Sequence, residues 1–166
     1  MNHIRKIWWG ISLVAYGTVR LIRYVLFFWK PSREVQGVRI IVVHNGKILL
    51  VRHWYAPGVL TLPGGGVDAN ENPEDAAIRE VKEETGTTIH SLSGIIGTYQ
   101  GPMGKRDTVR VYLSEDCDGL ISLFPNFEIM SKAWYPLHDL PFDISPGNRR
   151  RIDAYLTGTC GEVGSW

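Results

Sequence analysis

The sequence predicts an α/β fold, a mixed sheet held between helices, and three observations carry that reading. Two runs rich in β-branched and aliphatic residues, 35–43 and 47–52, flank Asn45-Gly46, a dipeptide suited to the left-handed centre of a two-residue hairpin. Residues 73–85 carry both the start and the stop signals of a helix. Three further strand-like runs, 88–99, 108–113 and 129–135, precede a second helix start at Ser145-Pro146, so that strands and helices share one chain of domain size.

Taken in order, the first helix is the best specified element. Asn72 is a good N-cap, Pro73 suits the first helical position, Glu74 and Asp75 complement the positive end of the dipole, and Gly86 is a natural stop. At 100° per residue, Ala77, Ile78 and Val81 form a core-facing arc. Glu80, Glu83 and Glu84 stack in the adjoining one. The strand run 88–99 leads into a glycine-rich loop, 97–104, and run 108–113 follows it. Residues 120–123 form a short candidate strand. The second helix is expected over 146–157, ended by Gly158.

Five carboxylates on one short helix, three of them at i, i+3, i+4 spacing, repel one another. Only Arg79, four residues before Glu83, is placed to brace one. A bare E-x-x-E-E also reads as a solvated helix face. The preceding Leu62-Pro63-Gly64-Gly65-Gly66 weighs against that, because consecutive glycines let backbone amides and carbonyls approach a ligand beside the acids. Oxygen-only ligands select Mg²⁺, Mn²⁺ or Ca²⁺ over zinc.

Residues 65–87 resemble the Nudix box, G-x5-E-x7-R-E-U-x-E-E-x-G-U, with U a bulky aliphatic residue. Gly65, Glu71, Arg79, Glu80, Val81, Glu83, Glu84 and Gly86 match in register, and Thr87 is the one departure. The resemblance implies an α/β/α sandwich over about residues 35–157. It implies Glu80, Glu83 and Glu84 as catalytic metal-site residues, with Glu80 either a ligand or the base, and the Gly64 carbonyl as a further ligand. It also implies a Glu71–Arg79 pair that holds the loop, and Mg²⁺ as cofactor with Mn²⁺ able to substitute. A downstream acid completes such sites; Glu128 is the candidate and Glu115 its rival. Cations for phosphate are sought at Arg52, Lys105 and Arg106, and aromatic platforms for a base at Trp54, Tyr55 and Tyr99. His53 lies near the site and reads as an ordinary surface or hydrogen-bonded histidine.

The implied reaction is Mg²⁺-dependent hydrolysis of the phosphoanhydride in a nucleoside diphosphate linked to another group, of the ADP-ribose or nucleotide-sugar type. Pro102, fifteen residues past the box, is placed as in ADP-ribose-hydrolysing members, and it also reads as a turn proline. Two alternatives stand beside this: a nucleoside triphosphate pyrophosphohydrolase that clears damaged nucleotides, and a non-catalytic nucleotide-binding module. The intact glutamates argue against the last.

Composition bounds the rest. The net charge is +1, but residues 1–30 carry five cations and no acid, which leaves the remainder at −4. That remainder is not basic, so general nucleic-acid binding is not expected; the resemblance implies a small-molecule nucleotide substrate. Cys117 and Cys160 show no metal-ligand spacing and are read as free thiols in a reducing cytoplasm. Two parts are expected, an N-terminal amphipathic helix at 1–30 and a hydrolase domain at 31–166, with Pro31-Ser32 as the boundary. In the helix, Arg5, Ser12, Tyr16, Arg20, Arg23 and Lys30 form one stripe. Ile4, Trp8, Ile11, Ala15, Val19, Ile22, Leu26 and Trp29 form another. A membrane span would put Arg20 and Arg23 in the bilayer at about +2.5 to +3.5 kcal/mol each near its centre. The readings kept open are peripheral contact with the inner membrane face, packing on the domain and dimerisation.

Overall fold

The computed structural model describes residues 35–101, 107–123 and 127–166. The hairpin forms as expected: β1 (Val35–His44) and β2 (Lys47–His53) pair antiparallel around a turn in which Asn45 and Gly46 both take positive φ, 49° and 70°. After β2 come α1 (Pro73–Thr85), β3 (Ile89–Ser91), β4 (Gly94–Gln100), β5 (Asp107–Ser114), β6 (Asp116–Cys117), β7 (Ile129–Pro136), α2 (Pro146–Leu156) and β8 (Glu162–Ser165). Six strands form one sheet in the order β7-β2-β1-β5-β4-β8, and β3 pairs with β6 in a second. The β1–β5 and β4–β8 pairs are parallel and the others antiparallel, so the sheet is mixed.

The period-two alternation of β1 divides the interior. Val38, Ile40 and Val42 face Ala76, Ala77 and Val81 of α1, while Ile41 and Val43 face Ile152 and Ala154 of α2. β2 follows the same rule, with Leu49 on the α1 side and Ile48 and Leu50 on the α2 side. A sheet apolar on both faces needs a cover on each, and the two helices supply it, giving the α/β/α sandwich.

The helix ends repeat the sequence signals. Asn72 accepts from the Glu74 amide at 3.2 Å, and Gly86, at φ 80°, donates its N–H to the Lys82 carbonyl at 2.9 Å. Thr87, the atypical box position, is fully buried, yet its hydroxyl donates to the Leu120 carbonyl and so keeps a partner in the core.

Three expectations are corrected. The run 88–99 is two strands, because Ile89 pairs with β6 while the residues from Gly94 onward pair with β5. Residues 120–123 form no strand; Leu120 and Leu123 stand 67% and 98% exposed. β8 was not expected, since Glu162-Val163-Gly164-Ser165 has little strand character. Its pairing with β4 comes from tertiary contact. The N-terminal helix, Pro102, Lys105 and Arg106 lie outside the described residues. Among the described residues, no helix is long and apolar enough to cross a membrane.

Candidate active site

The glycine loop is stitched to the first half of β1. The amides of Val38 and Ile40 donate to the carbonyls of Gly65 and Pro63 at 2.9 and 3.1 Å, and the Val67 amide returns a bond to Gln36. This lays the loop against the acidic face of α1. A Cβ on Gly65 would fall 2.5 Å from the Glu80 carboxyl carbon, so only glycine lets that side chain in. Gly64 sits at φ 137°, and its amide donates to Glu84 Oε2 at 2.9 Å.

Arg79 ties the assembly together. It donates to both Glu71 oxygens at 2.8 and 2.9 Å, to Glu80 at 2.9 Å, to Glu83 at 3.2 Å and to the Gly66 carbonyl at 3.1 Å. The expected Glu71–Arg79 pair is present, and its hydrogen bonds hold the Glu71 carboxyl down at about 2. The same contacts push the Arg79 guanidinium well above its ordinary value.

The three helix acids differ in environment. Glu83 has a side chain 59% exposed. Glu80 is largely buried, and burial raises its pKa, against the pull of Arg79. Glu84 is only 4% exposed, and burial pushes it up to about 8. Arg39 and the Gly64 amide oppose that rise, whereas Glu80 and Glu128 reinforce it. Glu128 is thus within electrostatic reach of Glu84. Its carbonyl accepts from the Trp54 amide at 3.1 Å, which fixes it at the end of β2.

Two site groups were missed by sequence reasoning. His53 is 3% exposed, stacks on Tyr55 at 4.8 Å, and puts Nε2 at 3.8 Å from Glu84 Oε1. Neither ring nitrogen has a hydrogen-bond partner among the described residues, so the expectation of a hydrogen-bonded surface histidine is corrected. Burial, then the charge of Arg39, holds its pKa down at about 4. Arg39 itself donates from Nη1 to the Gly64 carbonyl and, at 3.1 Å, to the Val38 carbonyl. The signal was a lone arginine inside the apolar run Val38-Arg39-Ile40-Ile41-Val42. Lys132 of β7 adds a third contact, donating to the Glu84 carbonyl at 3.2 Å.

Other candidates lie elsewhere. Arg52 follows Ile48 and Leu50 onto the α2 side, where it pairs with Asp143 at 2.6 Å and donates to the Pro57 carbonyl at 2.9 Å. One residue of strand alternation separates it from the site. Tyr99 is 2% exposed in the α2-side core, with the Arg151 guanidinium 3.5 Å over its ring. A base has no access to that ring. Glu115 accepts from the Tyr155 hydroxyl of α2 at 2.9 Å. Trp54 remains exposed beside Glu128.

The donor set suits a hard divalent ion. The Glu80 carboxyl lies against Gly65, Glu84 Oε2 accepts from the Gly64 amide, and the Gly64 carbonyl belongs to the same loop, so the donors are all oxygen, as Mg²⁺ and Mn²⁺ prefer. Among the described residues no three acidic, histidine or cysteine side chains are already drawn together at ligand distance. The guanidinium of Arg39 stands at the Gly64 carbonyl in the manner of a tethered cation.

Residues 34–155 match the family model described as NUDIX domain. A Bacillus subtilis (strain 168) protein named "Putative 8-oxo-dGTP diphosphatase" is 34% identical over 124 residues, covering 74% of this chain and 80% of that protein. An "ADP-ribose pyrophosphatase" from the same organism is 35% identical over 78 residues, 45% of this chain and 42% of its own. Among solved structures, the MutT NUDIX hydrolase from Burkholderia pseudomallei is 27% identical with a TM-score of 0.63, covering 72% of this chain and 96% of that one. A NUDIX hydrolase from Nitrosomonas europaea reaches a TM-score of 0.68 at 20% identity over 81% and 80% of the two chains, a likeness of fold. The chain belongs to the Nudix family and is a pyrophosphohydrolase.

Proposed function

We propose that this enzyme hydrolyses the phosphoanhydride of a nucleoside diphosphate joined to another group, of the ADP-ribose or nucleotide-sugar type, with Mg²⁺ as the working ion. Family members generally need a divalent metal. Gly64, Glu80, Glu83, Glu84 and Glu128 are the groups we assign to hold it. The observation that carries this reading is the contact of both Glu80 and Glu84 with the Gly64–Gly65 backbone. When bound, the ion neutralises phosphate oxygens and acidifies a water. The chain's own part is positioning. Glu84 is held by the Gly64 amide, Glu80 is held against Gly65 by Arg79, and Glu83 stays exposed for a ligand arriving from solvent. Glu80 is our candidate to accept the proton of the attacking water.

One observation favours a second reading, nucleoside triphosphate pyrophosphohydrolysis. The relative that shares the greater length with this chain, 124 residues, carries the 8-oxo-dGTP name, and the ADP-ribose relative matches over 78. Product analysis with Mg²⁺ separates the two. ADP-ribose yields AMP and ribose phosphate in the first case. A nucleoside triphosphate yields monophosphate and pyrophosphate in the second. In either case Glu83→Gln lowers turnover at least about a hundredfold with the circular dichroism spectrum unchanged; full turnover in that variant removes Glu83 from the assigned set.

A further inference from the structure

Arg39 is a charged side chain between two fully buried neighbours, Val38 and Ile40. The loop packs directly on its backbone, since a Cβ at Gly64 would come 2.9 Å from the Arg39 Cα. From there Nη1 reaches the Gly64 carbonyl. The charge of Arg39 is felt by three surrounding groups: it works against the burial that raises Glu80 and Glu84, and it lowers His53. A guanidinium therefore stands at the carbonyl that the proposed function assigns to a divalent ion, and its charge reaches the two carboxylates assigned with it.

Two cations do not share one carbonyl oxygen and one pair of carboxylates without mutual cost. Like charges at a few ångströms repel strongly where water is excluded, and a carbonyl that accepts from a guanidinium has given up the lone pair nearest that donor. Glu80 has Arg79 at 2.9 Å and Glu84 is held by the Gly64 amide, and the charge of Arg39 adds to both. The chain thus carries its own partial compensation on β1.

We infer that Arg39 is a tethered cation that occupies the metal-free site and must leave the Gly64 carbonyl when the divalent ion enters, so that it is a positioning residue setting metal affinity. The inference rests on the metal reading of the proposed function. It separates Arg39 from Arg79, which braces Glu71, Glu80 and Glu83 from the far side of the loop and has no contact with the Gly64 carbonyl.

The test is a substrate-free titration of the full chain with Mn²⁺, read by the electron paramagnetic resonance signal of the free ion and repeated with Mg²⁺ by calorimetry. Arg39→Gln is expected to bind Mn²⁺ about tenfold more tightly than wild type, within the range of ordinary coupling between two ligands, and to melt at a lower temperature when metal-free. A side chain with only a packing role would not tighten binding when removed. Arg39→Lys keeps the charge but not the fork that reaches Gly64. It serves as the second variant if the glutamine form fails to fold, with about threefold tightening expected. Unchanged or weaker Mn²⁺ binding in a folded variant, with wild type binding normally, overturns the role of Arg39 and leaves the metal reading intact. Wild type that binds neither Mn²⁺ nor Mg²⁺ overturns the metal reading, and this inference with it.

Discussion

The two faces of the central sheet treat buried polar groups in opposite ways. On the α2 face the chain supplies the partners. Arg52 has Asp143, the Tyr99 hydroxyl donates to Glu162 at 2.8 Å, and Arg151 lies over the Tyr99 ring and donates to Ser165. Only the Arg151 Nε in that group lacks a partner. On the α1 face Glu84 is buried with its pKa pushed up, and both nitrogens of His53 go without hydrogen bonds among the described residues. A buried polar group left unpaired costs about 1–3 kcal/mol. The face that tolerates that cost is the one to which the proposed function assigns the metal. The other uses the same residue types to lock the C-terminal strand and the entry to α2.

Substitutions can break this comparison, and the largest effect is expected at Glu84. Glu84→Gln should cut turnover at least about a hundredfold while raising the melting temperature of the metal-free protein at pH 9, where the native glutamate is ionised in its buried site. A fall in melting temperature at that pH would mean the buried charge is already well compensated.

The same carboxyl sets a pH dependence. Its folded pKa of about 8 lies above the ordinary glutamate value of 4.5, so the folded state holds a proton that the unfolded state has lost between those limits. Metal-free stability should therefore be full below about pH 4.5 and fall as pH rises to about 8. Thermal melts with chelator, against the Glu84→Gln variant as a flat reference, measure this. Glu71 runs the other way: its lowered pKa gives support that is lost as pH falls from 4.5 toward about 2.

Smaller effects are expected on the α2 face. Arg52→Ala should cost about 1–2 kcal/mol, a loss of roughly 2–8 °C in melting temperature, and leave KM unchanged. A raised KM would return Arg52 to the substrate site. Tyr99→Phe removes one hydrogen bond to Glu162 and should cost about 1 kcal/mol with turnover unaffected.

The elements that could be read from the sequence are those whose signals are local. The caps of α1, the Asn45-Gly46 turn and the box glutamates each rest on residues a few positions apart. Arg52 and Tyr99 were misplaced, and the burial of His53 was not foreseen, because strand direction decides which side each takes. Arg52 and His53 are adjacent in sequence and face opposite layers, and no feature of either residue says which layer carries the acids. β8 was missed because its pairing depends on β4, more than sixty residues earlier, and on Trp166, whose amide donates to the Gln100 carbonyl at 2.9 Å.

By itself the sequence determined the family, the acidic helix and the loop in front of it, because backbone geometry and helical spacing are set within a turn or two of chain. Only the tertiary structure decided that Glu84 is buried while Glu83 is exposed, that Arg39 and not Arg52 reaches the glycine loop, and that His53 is buried with no hydrogen bond to its ring nitrogens among the described residues. Burial and charge proximity depend on which distant segments meet, and in this chain they meet where the glycine loop crosses β1.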